Sequence, residues 1–421
     1  MATVASTFGA IAVSSSASAG AAAPVGINKI SHIVVMMQEN RSYDSYFARL
    51  HYQGQSASEV EPLTGNPDPN GGATIHPFLK TVPCETADLN HSWNGTHQEW
   101  NSGHMNGFTA ANDSASANAD PSDPSGSRTM GYYASGMLPF YYGIANQFAI
   151  ADRYFASTLT QTFPNRFYLY AGTSFGHIRN DLPSPGGTFY TQPTVFRSLD
   201  AAHVSWKLYV TSFSEAQLFS DVHNDPSHVV NISQYFTDAT NGNLPQVSFV
   251  ESQPFGKVNV ESDEHPPANV QVGEKLVHDV MQALVQSPNW PGSAMFLTYD
   301  EHGGFYDHVA PPAAVKPDNI APMLQAGDTP GAFDRLGIRV PAMVISPYAK
   351  SHFVSHTVYD HTSILKFIET RFALPTLTNR DAAANDMEGM FDFTTVSHAH
   401  PLLPSAPVDP NGVNACTAMH P

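Results

Sequence analysis

Cysteine is nearly absent: 421 residues hold only Cys84 and Cys416. A cysteine-built metal cluster and a disulfide framework are thereby excluded. The pair can form one bridge tying the C-terminal tail to the body, or stand as two unrelated thiols. Charge is also scarce and one-sided, with 13% charged residues, 19 basic against 37 acidic, and a net charge of -18. So acidic a chain offers no nucleic-acid groove and no simple electrostatic attraction to anionic membranes, leaving at most transient contact with a membrane surface. An anionic substrate is not excluded, because a bound cation can reverse the local field. No apolar run reaches the ~18 residues that a membrane span needs. No Lys or Arg precedes Lys29, so the small-residue stretch Ser16–Ala21 reads either as the remnant of an export signal or as a plain disordered tail.

What is present is the composition of a large globular core, with 42% hydrophobic residues. There is no internal repeat and no clean boundary. One domain over residues 29–400 is expected, between a tail at 1–28 and a C-terminal tail at 401–421. Lys29–Met37, Val204–Val210, Gln246–Val250, Ala294–Thr298 and Ala342–Ile345 read as strands, rich in β-branched and aromatic residues. Between them, Val272–Gln286 and His361–Phe372 carry apolar residues at helical spacing. His51–His91 and Ala111–Arg128 are rich in turn-forming residues and read as irregular. Strands alternating with helices predict an α/β fold with a mainly parallel sheet covered on both faces.

Two of the strands end in polar clusters. The first runs into Glu39-Asn-Arg-Ser-Tyr-Asp44, and the fourth into Asp300-Glu-His-Gly-Gly-Phe-Tyr-Asp-His308. Ligand sites of open α/β sheets lie beyond the carboxyl ends of the strands, so the two clusters suggest one site for a hard metal ion. Thr162-Phe-Pro-Asn-Arg166 reads as the start of a helix, with Thr162 as its cap. The same hydroxyl, at the positive end of a helix dipole, could equally serve as a nucleophile. Gly172-Thr-Ser-Phe-Gly176 matches the elbow of serine hydrolases, with Asp360-His361 to complete a triad. An elbow needs a strand before it, however, and here the preceding residues read as a helix that Gly172 closes. Asp360–Glu369 reads instead as a capped helix packing on the sheet, and Arg339 as an anchor of the last strand.

Taken together, Glu39–Asp44, Thr162–Arg166, Asp300–Val309 and Gly337–Pro341 with Pro347 resemble, in order, the signature blocks of a phosphoesterase family. That family contains bacterial phosphatidylcholine-type and plant non-specific phospholipases C and related acid phosphatases. Tyr43 stands where Phe is usual, and Ala48 where Gly often closes the first block. The resemblance implies an alkaline-phosphatase-like three-layer sandwich around a central, mainly parallel sheet. It also implies one divalent metal ion surrounded by Glu39, Asn40, Thr162, Asp300 and Glu301. Such oxygen donors suit Ca²⁺, Mg²⁺ or Mn²⁺.

On this reading Thr162 is the nucleophile and Asn40 a donor to the phosphoryl oxygens. His91 and His265 contact phosphate or leaving group, and His308, oriented by Asp307, is catalytic or supporting. Glu264 and Arg166 support the same site. The implied activity is phospholipase C hydrolysis of a phospholipid or small phosphate ester by a secreted or periplasmic enzyme. The runner-up is an acid phosphatase using the same residues. A non-catalytic binding protein and a serine esterase are more remote. Trp93, Trp100, Tyr132, Tyr133, Tyr141 and Tyr142 could supply an aromatic cage for choline, though most are expected to be packing.

Overall fold

Along the chain, ten strands alternate with helices in the computed structural model, which describes residues 25–55, 64–183 and 189–420. They are β1 His32–Gln38, β2 Phe78–Leu79, β3 Gly131–Tyr132, β4 Ala149–Ala151, β5 Trp206–Val210, β6 Val229–Asn231, β7 Val247–Val250, β8 Ser293–Tyr299, β9 Ala342–Ile345 and β10 Phe353–Ser355. Eight of them form one sheet in the order β10-β4-β9-β8-β1-β7-β5-β6, and β2 pairs with β3 in a small separate ladder. Every neighbouring pair in the large sheet is parallel except those made by β9, which runs against both β4 and β8. The expected α/β sandwich with a mainly parallel central sheet is what forms.

The central strands are apolar on both faces because both faces are covered. All of β8 and all of β1 except His32 are buried, as continuous hydrophobic runs in parallel strands require. The helix Val270–Gln286 turns Val277, Val280, Met281 and Leu284 inward, with Asn269 accepting from the Gln271 N–H as its cap. The helix His361–Phe372 begins at a capping box formed by Asp360 and Ser363. It packs on the helix Thr162–Ala171. Strand ends differ from the sequence expectations by a few residues. Lys29, for example, closes a 3₁₀ turn before β1 begins, because ladder partners rather than propensity set where a strand starts.

Register is what matters for function. β1 pairs with β8 from His32↔Ser293 to Gln38↔Tyr299, so the two strands end level. Met36 pairs with Val250 of β7 on the other side. Glu251, Glu39 and Asp300 therefore leave three adjacent strands at the same edge.

The two cysteines are joined: Cys84 and Cys416 form a disulfide across 332 positions of sequence. The segment expected as a C-terminal tail carries a helix, Pro410–Met419, capped by Asp409. The export-signal stretch Ser16–Ala21 lies outside the described residues. No helix among them is long and apolar enough to cross a membrane. Closing so long a loop restricts the unfolded chain, an effect on the order of 2–4 kcal/mol. Reduction of the bridge should lower Tm by about 2–5 °C. Differential scanning calorimetry with and without a dithiol checks this, and an unchanged Tm in protein shown to be fully reduced would contradict it.

Candidate functional site

The edge where β7, β1 and β8 end is built around Arg166. Its Nη1 donates to Glu251 Oε2 at 3.0 Å, and its Nη2 to Glu39 Oε1 at 2.9 Å and to the Met37 carbonyl at 3.2 Å. Glu215 Oε2 lies 3.5 Å from Nη1, and Asp300 Oδ2 lies 3.7 Å from Nε. Four carboxylates on one buried guanidinium hold its pKa far up against the opposing effect of burial. Glu215, buried and flanked by Glu39 and Glu251, is itself pushed up to about 7 despite the guanidinium.

Thr162 lies one helical turn before Arg166, on the same face of the helix, which places it beside this edge. The turn leading into the helix is locked by Asn165. Its Oδ1 accepts from the Thr158 N–H at 3.0 Å, and its Nδ2 donates to the Thr160 carbonyl at 2.7 Å. Thr162 is not the cap expected from the sequence. It is the first helical residue and Gln161 is the cap, without a side-chain bond. Because Asn165 fastens the entry turn and Asn180 accepts from the Phe163 N–H at 2.8 Å, the helix does not need the threonine hydroxyl for capping.

Asn40, Asp300, Glu301, His91 and His265 meet at the same edge. Asp300 Oδ1 accepts from the Asn40 N–H at 3.2 Å and the Glu301 N–H at 2.7 Å. Its Oδ2 is buried with no hydrogen-bond partner, and burial together with the Glu39 charge pushes its pKa well up. The Asn40 side chain faces both carboxylates. With its amide nitrogen turned to them it donates to Asp300 Oδ1 at 3.2 Å and Glu301 Oε1 at 3.0 Å, while its oxygen accepts from His265 Nε2 at 2.9 Å. With the oxygen turned to them, three oxygens face one another, an arrangement that needs a cation or a proton among them. The orphaned Asp300 oxygen and the surplus of carboxylates over cations thus fit a hard divalent ion.

His91 Nε2 stands 3.8 Å from Glu301 Oε1, and its ring is 5.8 Å from that of His265. His302 Nε2 pairs with Glu99 Oε2 at 2.6 Å, and its Nδ1 lies 3.2 Å from Glu301 Oε2. Burial opposes its charge, but Glu99 and Glu301 raise its pKa to about 9. Burial likewise opposes the Glu301 charge, yet His91 and His302 hold its carboxyl below the usual range. Gly303 and Gly304 both have positive φ, and a Cβ at Gly303 would lie 2.4 Å from the Asn40 carbonyl. Close approach of the two strand-end loops requires glycine there.

Several expected residues take other places. His308 is held by Asp44 rather than by Asp307: its Nδ1 is 2.6 Å from Asp44 Oδ2. Asp307 instead accepts from Arg339 Nε at 3.1 Å and from the Asp44 N–H at 3.2 Å. Asp44, Asp307 and His308 come close enough to hold an ion, as do Asp88, His91 and His265. The first group is already partly neutralised, because Arg339 Nη2 also donates to Asp44 Oδ1 at 2.9 Å. Glu264 turns into the core, where it accepts from the hydroxyls of Tyr46, Tyr141 and Tyr299 and from Gln38 Nε2. It supports the ligands only through the chain, its carbonyl accepting from Arg41 Nη2 at 2.6 Å. Trp93, Tyr133, Tyr141 and Tyr142 are buried in packing and form no open cage.

The Gly172–Gly176 segment follows a helix, with Gly172 its left-handed C-cap, and Ser174 is fully buried. His361, pushed down to about 4 by burial, bonds the Asp300 carbonyl at 2.6 Å and Tyr154 at 3.1 Å. There is no elbow and no triad. The residues that the sequence reading missed are Glu215, Glu251, Glu99 and His302. His302 stood inside a quoted motif, whereas the others carry no local signal.

The phosphoesterase family model matches residues 30–375. Curated relatives include phospholipase C A of Mycobacterium tuberculosis, 32% identical over 91% of this chain and 82% of its own. A non-hemolytic phospholipase C of Burkholderia pseudomallei is 30% identical over 91% of this chain, which spans 63% of that protein. Non-specific phospholipase C1 of Arabidopsis thaliana is 32% identical over 86% of this chain and 71% of its own. Among solved structures, a protein in the alkaline phosphatase superfamily from Vibrio parahaemolyticus is similar with a TM-score of 0.35 and 10% identity, over 58% of this chain and 64% of that one.

Two substitutions separate the site from the decoy. Arg166→Leu strands its carboxylates and should cost roughly 3–5 kcal/mol in urea unfolding, whereas Ser174→Ala should leave turnover within about twofold. Loss of turnover in Ser174→Ala would reinstate the serine.

Proposed function

Because the chain belongs to the phosphoesterase family, we propose that it is a phospholipase C that cleaves phospholipid headgroup diesters through Thr162. One observation carries this reading: the level ends of β1 and β8, which set Glu39 and Asn40 beside Asp300 and Glu301 against the helix that bears Thr162 and Arg166. Glu39, Asn40, Thr162, Asp300 and Glu301 would hold the divalent ion. When bound, it supplies Lewis-acid polarisation of a phosphoryl oxygen and lowers the pKa of the Thr162 hydroxyl.

The protein's own groups do the rest. Thr162 Oγ1 gives up its proton to solvent and attacks phosphorus in line with the diacylglycerol oxygen, forming the Oγ1–P bond as the P–O bond to glycerol breaks. The departing oxygen takes a proton from His91 or His265, whose rings stand 5.8 Å apart. Water then hydrolyses the phosphothreonine, returning the hydroxyl and releasing the phosphorylated headgroup. The Asn40 amide would donate to an equatorial oxygen, where charge gathers in the transition state. Arg166 stays with its carboxylates and fixes the helix. The Cys84–Cys416 bond supports export to an oxidising compartment.

Initial rates on p-nitrophenyl phosphorylcholine and p-nitrophenyl phosphate test the reading. The diester should be preferred, and Thr162→Ala should lower its turnover by at least about a thousandfold. Preference for the monoester, equally lost in Thr162→Ala, would make the protein an acid phosphatase with the same site. Activity that survives Thr162→Ala refutes the mechanism. EDTA should abolish turnover and Ca²⁺, Mg²⁺ or Mn²⁺ restore it, whereas full activity after chelation would remove the ion from the account.

A further inference from the structure

The helix Pro410–Met419 lies beyond residues 30–375, where the family model matches. It does not simply end the chain. It fastens two segments that meet behind His265. The first is Pro83–Glu85. Cys84 is bonded to Cys416, His420 Nε2 lies 2.7 Å from the Glu85 carbonyl, and the helix packs on Pro83 so closely that a Cβ at Gly412 would come within 2.8 Å of its ring. The second is the loop between β7 and the helix Val270–Gln286. Asn259 Nδ2 donates to the Val413 carbonyl at 3.2 Å and to Thr417 Oγ1 at 3.1 Å. Gln271 Oε1 accepts from the Asp409 N–H at 2.9 Å.

The two segments are also joined directly. The Val270 N–H donates to the Pro83 carbonyl at 2.9 Å, and the Glu85 N–H to the Pro267 carbonyl at 3.4 Å. Between these ties runs Asp263-Glu264-His265-Pro266-Pro267. On its inner side the run is held by the end of β1: the Glu39 N–H donates to the Asp263 carbonyl at 2.7 Å, and Arg41 donates to that of Glu264. His265 is thus pinned from within by the strand that bears the proposed ligands, and from without by Pro83–Glu85, which the C-terminal helix ties to the same loop. Its ring is held at both nitrogens, Nδ1 lying 2.6 Å from the Pro266 carbonyl and Nε2 2.9 Å from the Asn40 amide oxygen, so the imidazole's place against Asn40 depends on where that backbone is set.

We infer that the C-terminal helix, cross-linked through Cys84–Cys416, is a strap that positions His265 for catalysis. Asn259 on the loop and Gln271 in the first turn of the helix that follows it are positioning residues, and none of the strap touches the reacting atoms. The inference rests on the proposed role of His265 at the substrate. It explains why a covalent tie joins the end of the chain to a position beside Glu85 rather than to the sheet. The magnitude expected is that of a contacting group displaced by about an ångström, roughly tenfold or more in kcat/KM.

A double-mutant cycle on p-nitrophenyl phosphorylcholine tests it at a temperature well below unfolding. The Cys84→Ser/Cys416→Ser protein should lose roughly tenfold in kcat/KM, carried mainly by kcat. In a His265→Ala background the same change should cost less than about twofold. Asn259→Ala, which leaves the bridge intact, should show the same pattern at smaller size and serves if the unbridged protein fails to fold. An equal loss in both backgrounds would mean general loosening and overturn the strap. So would full activity without the bridge, or wild-type turnover in His265→Ala. Activity surviving Thr162→Ala would instead strike the nucleophile assignment, and the cycle would still read His265.

Discussion

Burying a guanidinium among carboxylates is costly unless each charge finds a partner, and removing one partner leaves the others uncompensated. Arg166 is fully buried with Glu39, Glu215, Glu251 and Asp300 around it. Three of those carboxylates come from the ends of adjacent strands, so the guanidinium draws β7, β1 and β8 to a common edge. The helix that carries Arg166 is thereby fixed against the sheet, and with it the position of Thr162. The remaining negative charge, on Asp300 and Glu301 above all, is left facing Asn40. The proposed divalent ion would meet this surplus of negative charge in a buried place, where solvent screens it little.

Two other arginines do related work further out. Arg339 spans Asp44 and Asp307 and donates to the Asp152 carbonyl at 2.8 Å, tying the loops after β1, β4 and β8. Arg41 reaches the Glu264 carbonyl and stacks over Phe305 at 4.6 Å. In both cases the charge is spent on holding backbone rather than on substrate. That is why His308, though it lies in a signature block, sits beside a partly neutralised pair and not beside the ligand cluster.

The sheet was legible because its strands are buried on both faces and read as unbroken apolar runs. The strand Ala342–Ile345 and the helix His361–Phe372 fall where the pattern placed them. Glu39, Asn40, Asp300 and Glu301 could be grouped from the sequence because they follow the strands directly. Glu251 also follows a strand, but it stands alone before Ser252 and nothing local distinguishes it. Glu99 sits in the helix Trp93–Trp100 and Glu215 opens the 3₁₀ turn Glu215–Leu218, and their roles come only from what folds against them. Glu264 illustrates the converse error. Its neighbour His265 faces Asn40, but positive φ at Glu264 turns its side chain to the tyrosines, a reversal that adjacency in sequence cannot reveal. The bridge between Cys84 and Cys416 was one of two options until the fold brought the chain end back.

β1 is the first strand made and stands at the centre of the sheet. Its partners β7 and β8 begin at Val247 and Ser293. For most of synthesis an apolar strand therefore waits without a neighbour, and long-range parallel pairing of this kind forms slowly. The edge that bears Glu39 and Asp300 cannot exist until residue 300 has left the ribosome. Vectorial folding from the N-terminus cannot build this protein piece by piece. Its centre closes only after both partners of β1 have been made, and a chain cut before Ser293 would leave one side of β1 as an aggregation-prone edge.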